Sequence, residues 1–228
     1  VYLWAGLLTS ALPFFLYAFA AMSLPASLTV IINALAPMFG ALFSVLWLGE
    51  RLRLLRALGM LLGVAGVALI ARPEDFGVLG QSPLFWPAVL ASIGAAMSYG
   101  LAGVYVRKYA AINPPNAVAA WSQLFASLQL TPLLLLLPPP PPAGWGGITL
   151  QLAAIGLLFG LLCNALAYLF YFRLIRDLGP TRALTVTFLM PVFGVLWAVL
   201  LLGESLTPGM AGGGAIILLG TWLVLRRG

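Results

Sequence analysis

Apolar runs long enough to cross a lipid bilayer recur from one end of this chain to the other. The hydrocarbon core of a membrane takes roughly 17 to 25 helical residues. Eight runs fit that length: Val1–Met22, Ser27–Leu48, Leu54–Ala71, Leu84–Val106, Asn116–Leu137, Leu150–Phe172, Thr181–Leu202 and Gly209–Leu225. Backbone polar groups in hydrocarbon must be bonded inside their own helix or around a closed barrel. A barrel needs short strands of alternating polarity, and a run such as Leu133 to Leu137 does not alternate. The expected fold class is therefore an all-α integral membrane protein. Composition removes the soluble alternative: 63% of residues are hydrophobic and 7% charged, with a mean hydropathy of +1.10. A water-soluble domain carries about 25% charged residues to wet its surface.

The breaks between runs carry helix-ending and helix-starting chemistry. Pro114 and Pro115 end one helix, with Asn116 expected to cap the next. Thr207 places a capping hydroxyl before Pro208 at the first helical position. Pro138 to Pro142 cannot continue a helix and is expected to be extended and stiff. Numbering the runs in order puts Arg51, Arg53, Arg56, Arg107, Lys108, Arg173, Arg176, Arg182, Arg226 and Arg227 on one side. The other side receives Arg72, with Glu74 and Asp75 beside it. The positive-inside rule makes the basic side cytoplasmic, and the C-terminus with it. The net charge of +6 is thus a topology signal rather than a nucleic-acid footprint. A single cysteine, Cys163, excludes an internal disulfide, and a chain with no histidine has neither a His-based metal site nor a His base. No cofactor is implied.

An internal repeat organises the chain. Residues 24–72 align without gaps on residues 178–226. Leu35, Pro37, Phe39, Gly40, Leu48, Gly49, Glu50 and Leu52 match Leu189, Pro191, Phe193, Gly194, Leu202, Gly203, Glu204 and Leu206, and Gly59 and Gly66 match Gly213 and Gly220. By the loop arithmetic the first Leu-Gly-Glu turn lies inside and the second outside. Inverted repeats of this kind are the architecture of many secondary transporters. Three runs precede the second copy in its half and one precedes the first copy. The expected organisation is a first repeat whose remainder is residues 1–72, an extracytoplasmic connection at 73–83, and a second five-helix repeat at 84–228. Two further helices are expected before Val1, giving ten in all.

The doubled pattern of Pro37, Phe39, Gly40, then Leu48-Gly49-Glu50-Arg51-Leu52 with Gly59 and Gly66, resembles that of the EamA-type exporters of the drug/metabolite transporter superfamily. The resemblance covers the entire chain. It implies a ten-helix permease of the inner (cytoplasmic) membrane that exports small metabolites such as amino acids, with both termini cytoplasmic.

No charged residue falls deep within a run, so an acid-based proton relay has no support in this sequence. Glu50 and Glu204 sit at run ends, where capping or turn stabilisation is the expected role. The cavity candidates are polar and aromatic groups at mid-span: Asn33, one turn before the helix-bending Pro37 with Thr29 a turn behind; Tyr17, in register with Ser10 and Phe14; Asn164 and Tyr168, in register with Tyr171; Tyr99, with Ser92; and Trp121, with Gln129. Amides, phenol hydroxyls and aromatic faces would suit a small zwitterion or an amphipathic metabolite. The plainer role is helix packing. It stands level with the cavity role for Asn33 and Asn164 and ahead of it for Tyr17, Tyr99 and Tyr168. Tyr2, Trp4, Trp86, Trp145 and Trp222 read as interfacial anchors, and Cys163 as a small buried apolar filler. Gly59, Gly63, Gly66, Gly156, Gly160, Gly212 to Gly214 and Gly220 read as close-packing positions.

Three other classes compete with a transporter. An enzyme would need a nucleophile and base, an acid dyad or a metal cluster, none of which is visible. A scaffold would leave the inverted symmetry without a purpose. A channel-like facilitator is separated only by flux that grows linearly with concentration. The partners expected are a small-molecule substrate and membrane lipid; a homodimer stays open, and nucleic acid is excluded.

Overall fold

The computed structural model describes residues 1–77, 79–109, 112–136, 149–167, 170 and 186–225. Among them every regular element is helical. Eight helical segments follow the eight apolar runs: α1 (Tyr2–Ala20), α2 (Ala26–Leu48), α3 (Leu54–Ile70), α4 (Phe85–Tyr109), α5 (Pro115–Leu136), α6 (Leu150–Phe159), α7 (Val186–Leu202) and α8 (Pro208–Leu225). A short 3-10 turn, Pro73–Phe76, joins α3 to α4. Of the described helices, α1, α2, α4 and α8 are long and apolar enough to span a bilayer by themselves. The Pro138–Pro142 stretch, Trp145, Tyr168 and Tyr171 lie outside the described residues.

Two helices are broken by proline, and in each a hydroxyl from another helix repairs the break. Pro13 has no N–H, and the turn before it, Leu7–Ala11, widens into a π-helix. Ser98 of α4 donates to the Leu8 carbonyl there at 2.9 Å. In α2, Pro37 has no N–H to return to the Asn33 carbonyl. The helix tightens to i−3 bonds at Ala34 and Leu35, 3.1 and 3.0 Å from Ile31 and Ile32, before restarting at Ala36. Buried Thr221 of α8 donates to the Ala34 carbonyl at 2.8 Å. Neither repair is visible in the sequence, because the partners are far apart along it.

The wide turn also corrects the register of α1. Ser10 is buried, but Phe14 is 41% exposed, so the two do not share the inward face. A π-turn holds more residues than an α-turn and rotates the helix beyond it. A second correction concerns α5. The helix begins at Pro115, so Asn116 lies inside its first turn rather than capping it. Proline at the first position is tolerated because that N–H has no intrahelical partner. By contrast, Thr207 caps α8 as its sequence suggests, accepting from the Met210 N–H at 3.1 Å.

Packing centres on the broken helix. α2 contacts α4, α7 and α8, while α1 lies against α4 and α5. The buried cluster runs through Leu28, Ile32, Ile70, Phe85, Val89, Met210 and Ile217. Outside it, Leu46, Leu61, Val64 and Leu90 are exposed, giving an apolar outer surface suited to lipid. The most extensive contact is α3 on α8. A side chain at Gly59 would meet the Gly220 carbonyl at 2.5 Å, and one at Gly66 would meet the Gly213 carbonyl at 2.8 Å. These residue numbers run in opposite senses, so the helices are antiparallel. Gly156 and Gly160 behave differently, since a side chain at either would meet no other element within 4 Å among the described residues, and Cys163, expected to be buried, is exposed among them. The close-packing role expected of the two glycines is not seen there.

Candidate functional site

Three of the six candidates come together where α1, α2 and α4 meet. Asn33 is the last residue before the break in α2, so its amide emerges beside backbone that the helix no longer fully satisfies. The Tyr17 hydroxyl donates to Asn33 Oδ1 at 2.7 Å. The Tyr17 ring lies 6.2 Å from that of Tyr99, tilted by 31°, within the range of favourable aromatic pairs. All three side chains are half-buried. Thr29 turns back on its own helix and donates to the Pro25 carbonyl at 3.2 Å, and buried Ser92 does the same to Ala88 at 3.1 Å.

Trp121 lies elsewhere. Its ring stacks on Tyr2 at 6.4 Å and it is 50% exposed. Tyr2 is fifteen residues from Tyr17 along α1, about 22 Å at the helical rise. Trp121 therefore belongs with the end-of-helix aromatics. Gln129, two turns further along α5, donates to the Leu3 carbonyl at 3.0 Å, tying α5 to α1. The Asn164 backbone lies in a π-helical turn, Gly160–Leu166, but its side chain, like all of Tyr168, lies outside the described residues.

On the other side of the break is a cavity of about 290 Å³ between α2, α7 and α8, bordered by Ile31, Ala34, Val192, Val195, Leu206 and Met210 among others. Its walls are apolar, unlike the polar and aromatic lining expected. None of the six candidates appears among its lining residues, although Ala34 adjoins Asn33.

The two Leu-Gly-Glu turns share one backbone geometry. Gly49 and Gly203 have φ of +69° and +66°, the left-handed conformation that glycine supplies after a helix. The following Glu50 N–H bonds the Ser44 carbonyl and the Glu204 N–H the Ala198 carbonyl, each at 3.2 Å. The turns stand at opposite ends of α2. Glu204 bonds the first residues of that helix, and Glu50 follows its last turn. The 23 residues between span about 34 Å. The glycine contacts obey the same exchange: Gly59 faces Gly220 and Gly66 faces Gly213, and swapping each residue for its repeat counterpart returns the same two pairs.

The EamA-like transporter family model matches residues 1–72 and 86–226. The chain belongs to the EamA-like transporter family. Several of its relatives are transporters by name. The uncharacterized transporter YvbV of Bacillus subtilis is 28% identical over 98% of this chain and 71% of its own length. A probable terminal-alkyne amino-acid exporter of Streptantibioticus cattleyicolor is 24% identical over 89% of this chain and 65% of its own. A solved crystal structure superposes with a TM-score of 0.56 at 26% identity, over 96% of this chain and 74% of that one. This EamA-like chain is a multi-pass membrane transporter.

Among the described residues the charged groups sit at or near the ends of the helices, as the sequence suggests. Glu50 accepts from Arg107 at 2.6 Å and Arg56 at 2.9 Å. Arg107 and then Arg56 hold its carboxyl below the usual range. Lys108 lies 5.2 Å above the Trp47 ring at the same end. Glu204 accepts from the Ala26 N–H at 2.7 Å, the Ser27 N–H at 3.0 Å and the Ser27 hydroxyl at 2.5 Å. Partial burial pushes the Glu204 carboxyl up, but the bonds from Ser27 and Ala26 outweigh it and leave the carboxyl below the usual range. A capping role was legible for these glutamates; that Glu204 caps a helix 177 residues away was not.

Proposed function

We propose that this EamA-like transporter is a secondary permease that exports small zwitterionic or amphipathic metabolites across the cytoplasmic membrane by alternating access. The exchange symmetry of the two copies carries this reading. One turn-and-helix unit occurs twice, antiparallel, with its Glu turns at opposite ends of α2. Two near-equivalent halves give two conformations of similar energy, each open to one side, as inverted-repeat transporters require. The basic residues gathered at the Glu50 end make that end cytoplasmic, together with the C-terminus.

The substrate meets Tyr17, Asn33 and Tyr99; Asn164 and Tyr168 are the candidates that the sequence offers from the second repeat. An amide beside two phenol rings offers hydrogen bonds and stacking without a fixed charge. That chemistry, and the amino-acid exporter among the relatives, favours amino acids and related compounds. Proteoliposomes loaded with a panel of amino acids and small amphipathic metabolites, with and without a pH gradient, test the proposal. Saturable, stereoselective efflux of one class is the expected result. Efflux that rises linearly with concentration would make the protein a channel, and no flux above empty vesicles would leave only a membrane protein with this fold.

A further inference from the structure

The two equivalent glutamates make different bonds, and the difference bears on gating. Glu50 is held by two arginines near its own turn. Glu204 reaches out of its turn to another helix and accepts three hydrogen bonds at the start of α2. The first N–H groups of a helix have no partner within it, and a carboxylate there is favoured by the helix dipole as well as by the bonds. This single side chain thus fastens the first turn of α2 to the α7–α8 connection.

Next to that fastening lies the apolar cavity. Ile31 is one turn beyond Ser27 on α2, and Leu206 is two residues beyond Glu204; both border the cavity, as do Val192 and Val195 of α7. Moving the start of α2 away from the α7–α8 connection would widen the cavity at that end. The helix is already interrupted at Ala34 and Leu35, so its first half, Ala26–Asn33, can tilt without carrying the second half with it. Since Asn33 ends that half and bonds Tyr17, the tilt would also reach the candidate substrate site.

We propose that Glu204 is the latch of a gate. Its bonds to Ala26 and Ser27 hold the cavity between α2, α7 and α8 narrow at the end where α2 begins, and their release widens it there. The inference rests on the alternating-access reading, for which two states must differ by contacts that can be made and broken.

Cysteine accessibility in proteoliposomes tests it. The background is Cys163→Ser, with Val195→Cys as the reporter in the cavity and Leu84→Cys as a control at the exposed approach to α4, on the side where α2 begins. A membrane-impermeant maleimide is applied on the side where α2 begins. Glu204→Gln should raise the labelling rate of Val195→Cys about tenfold, the scale of losing one charge-assisted bond. Ser27→Ala should raise it less, and the control should stay constant in both. Should Glu204→Gln not fold, Ser27→Ala carries the test by itself. An unchanged rate at Val195→Cys, or an equal rise at both positions, would reduce Glu204 to a cap that merely stabilises the fold. Unchanged accessibility with intact flux sinks the latch and leaves transport standing; altered accessibility without flux does the reverse.

Discussion

Tyr17 and Asn33 are joined by a hydrogen bond of 2.7 Å that ties α1 to the broken turn of α2. An amide offers four bonding positions and hydrocarbon satisfies none of them, so this contact both holds two helices together and presents polar atoms in a largely apolar interior. Tyr17→Phe keeps the ring and removes the hydroxyl. The expected cost in stability is about 0.5 to 1.5 kcal/mol. Asn33→Ala should lower transport by about tenfold while folded yield falls much less. Flux normalised to monodisperse protein checks both, and parallel loss of yield and flux would make Asn33 a packing residue.

The paired glycines predict a sharp positional contrast. Gly59→Ala puts a methyl group 2.5 Å from the Gly220 carbonyl, and Gly220→Ala makes the reciprocal clash at 2.6 Å. Overpacking against backbone costs about 1 to 3 kcal/mol. Both variants should melt earlier in detergent by similar amounts. Gly103→Ala has nothing within 4 Å and should melt like the wild type or slightly above it, because alanine favours helix more than glycine does.

Thr221→Val keeps the shape of the side chain and removes the donor to the Ala34 carbonyl. That carbonyl sits in the buried part of the break, and leaving it without a partner costs about 1 to 3 kcal/mol. Thermal unfolding should show the loss. Thr221→Ser retains the hydroxyl and should recover most of it.

How much of this was legible depends on the range of each interaction. The apolar runs, the repeat and the Thr207 cap are local patterns, and all eight runs carry helix among the described residues. Tyr17, Asn33 and Tyr99 were readable as polar groups where the bilayer offers no partner. Trp121 was not separable from them, since a tryptophan in an apolar run looks the same whether it faces inward or, as here, stacks on Tyr2 at the end of α1. Phe14 was misplaced because a π-turn leaves no pattern beyond the proline that provokes it. The Glu204 cap and the Ser98 and Thr221 repairs join helices 177, 90 and 187 residues apart, and no periodicity encodes such pairings.

Acid should weaken the fold through the two turn glutamates. Both have folded-state values below their ordinary value of 4.5. A depressed carboxyl contributes stability that is fully present above the unfolded value and is lost as pH falls through the folded one. Thermal stability should therefore be flat from pH 7 to about 5 and decline below about 4.5. Glu204→Gln should start lower at neutral pH and show a shallower decline. A pH profile of unfolding temperature for both proteins checks the sign.

Counterflow tests the central claim most directly. Proteoliposomes are preloaded with an excess of unlabelled substrate, taken from whichever class shows saturable efflux, and diluted into a trace of the labelled compound. A carrier that alternates between two faces predicts a transient accumulation of label above its equilibrium level, because each return of the loaded site exchanges one molecule for another. A monotonic rise to equilibrium with no overshoot, in vesicles that still pass the substrate, would contradict alternating access and make the chain a pore.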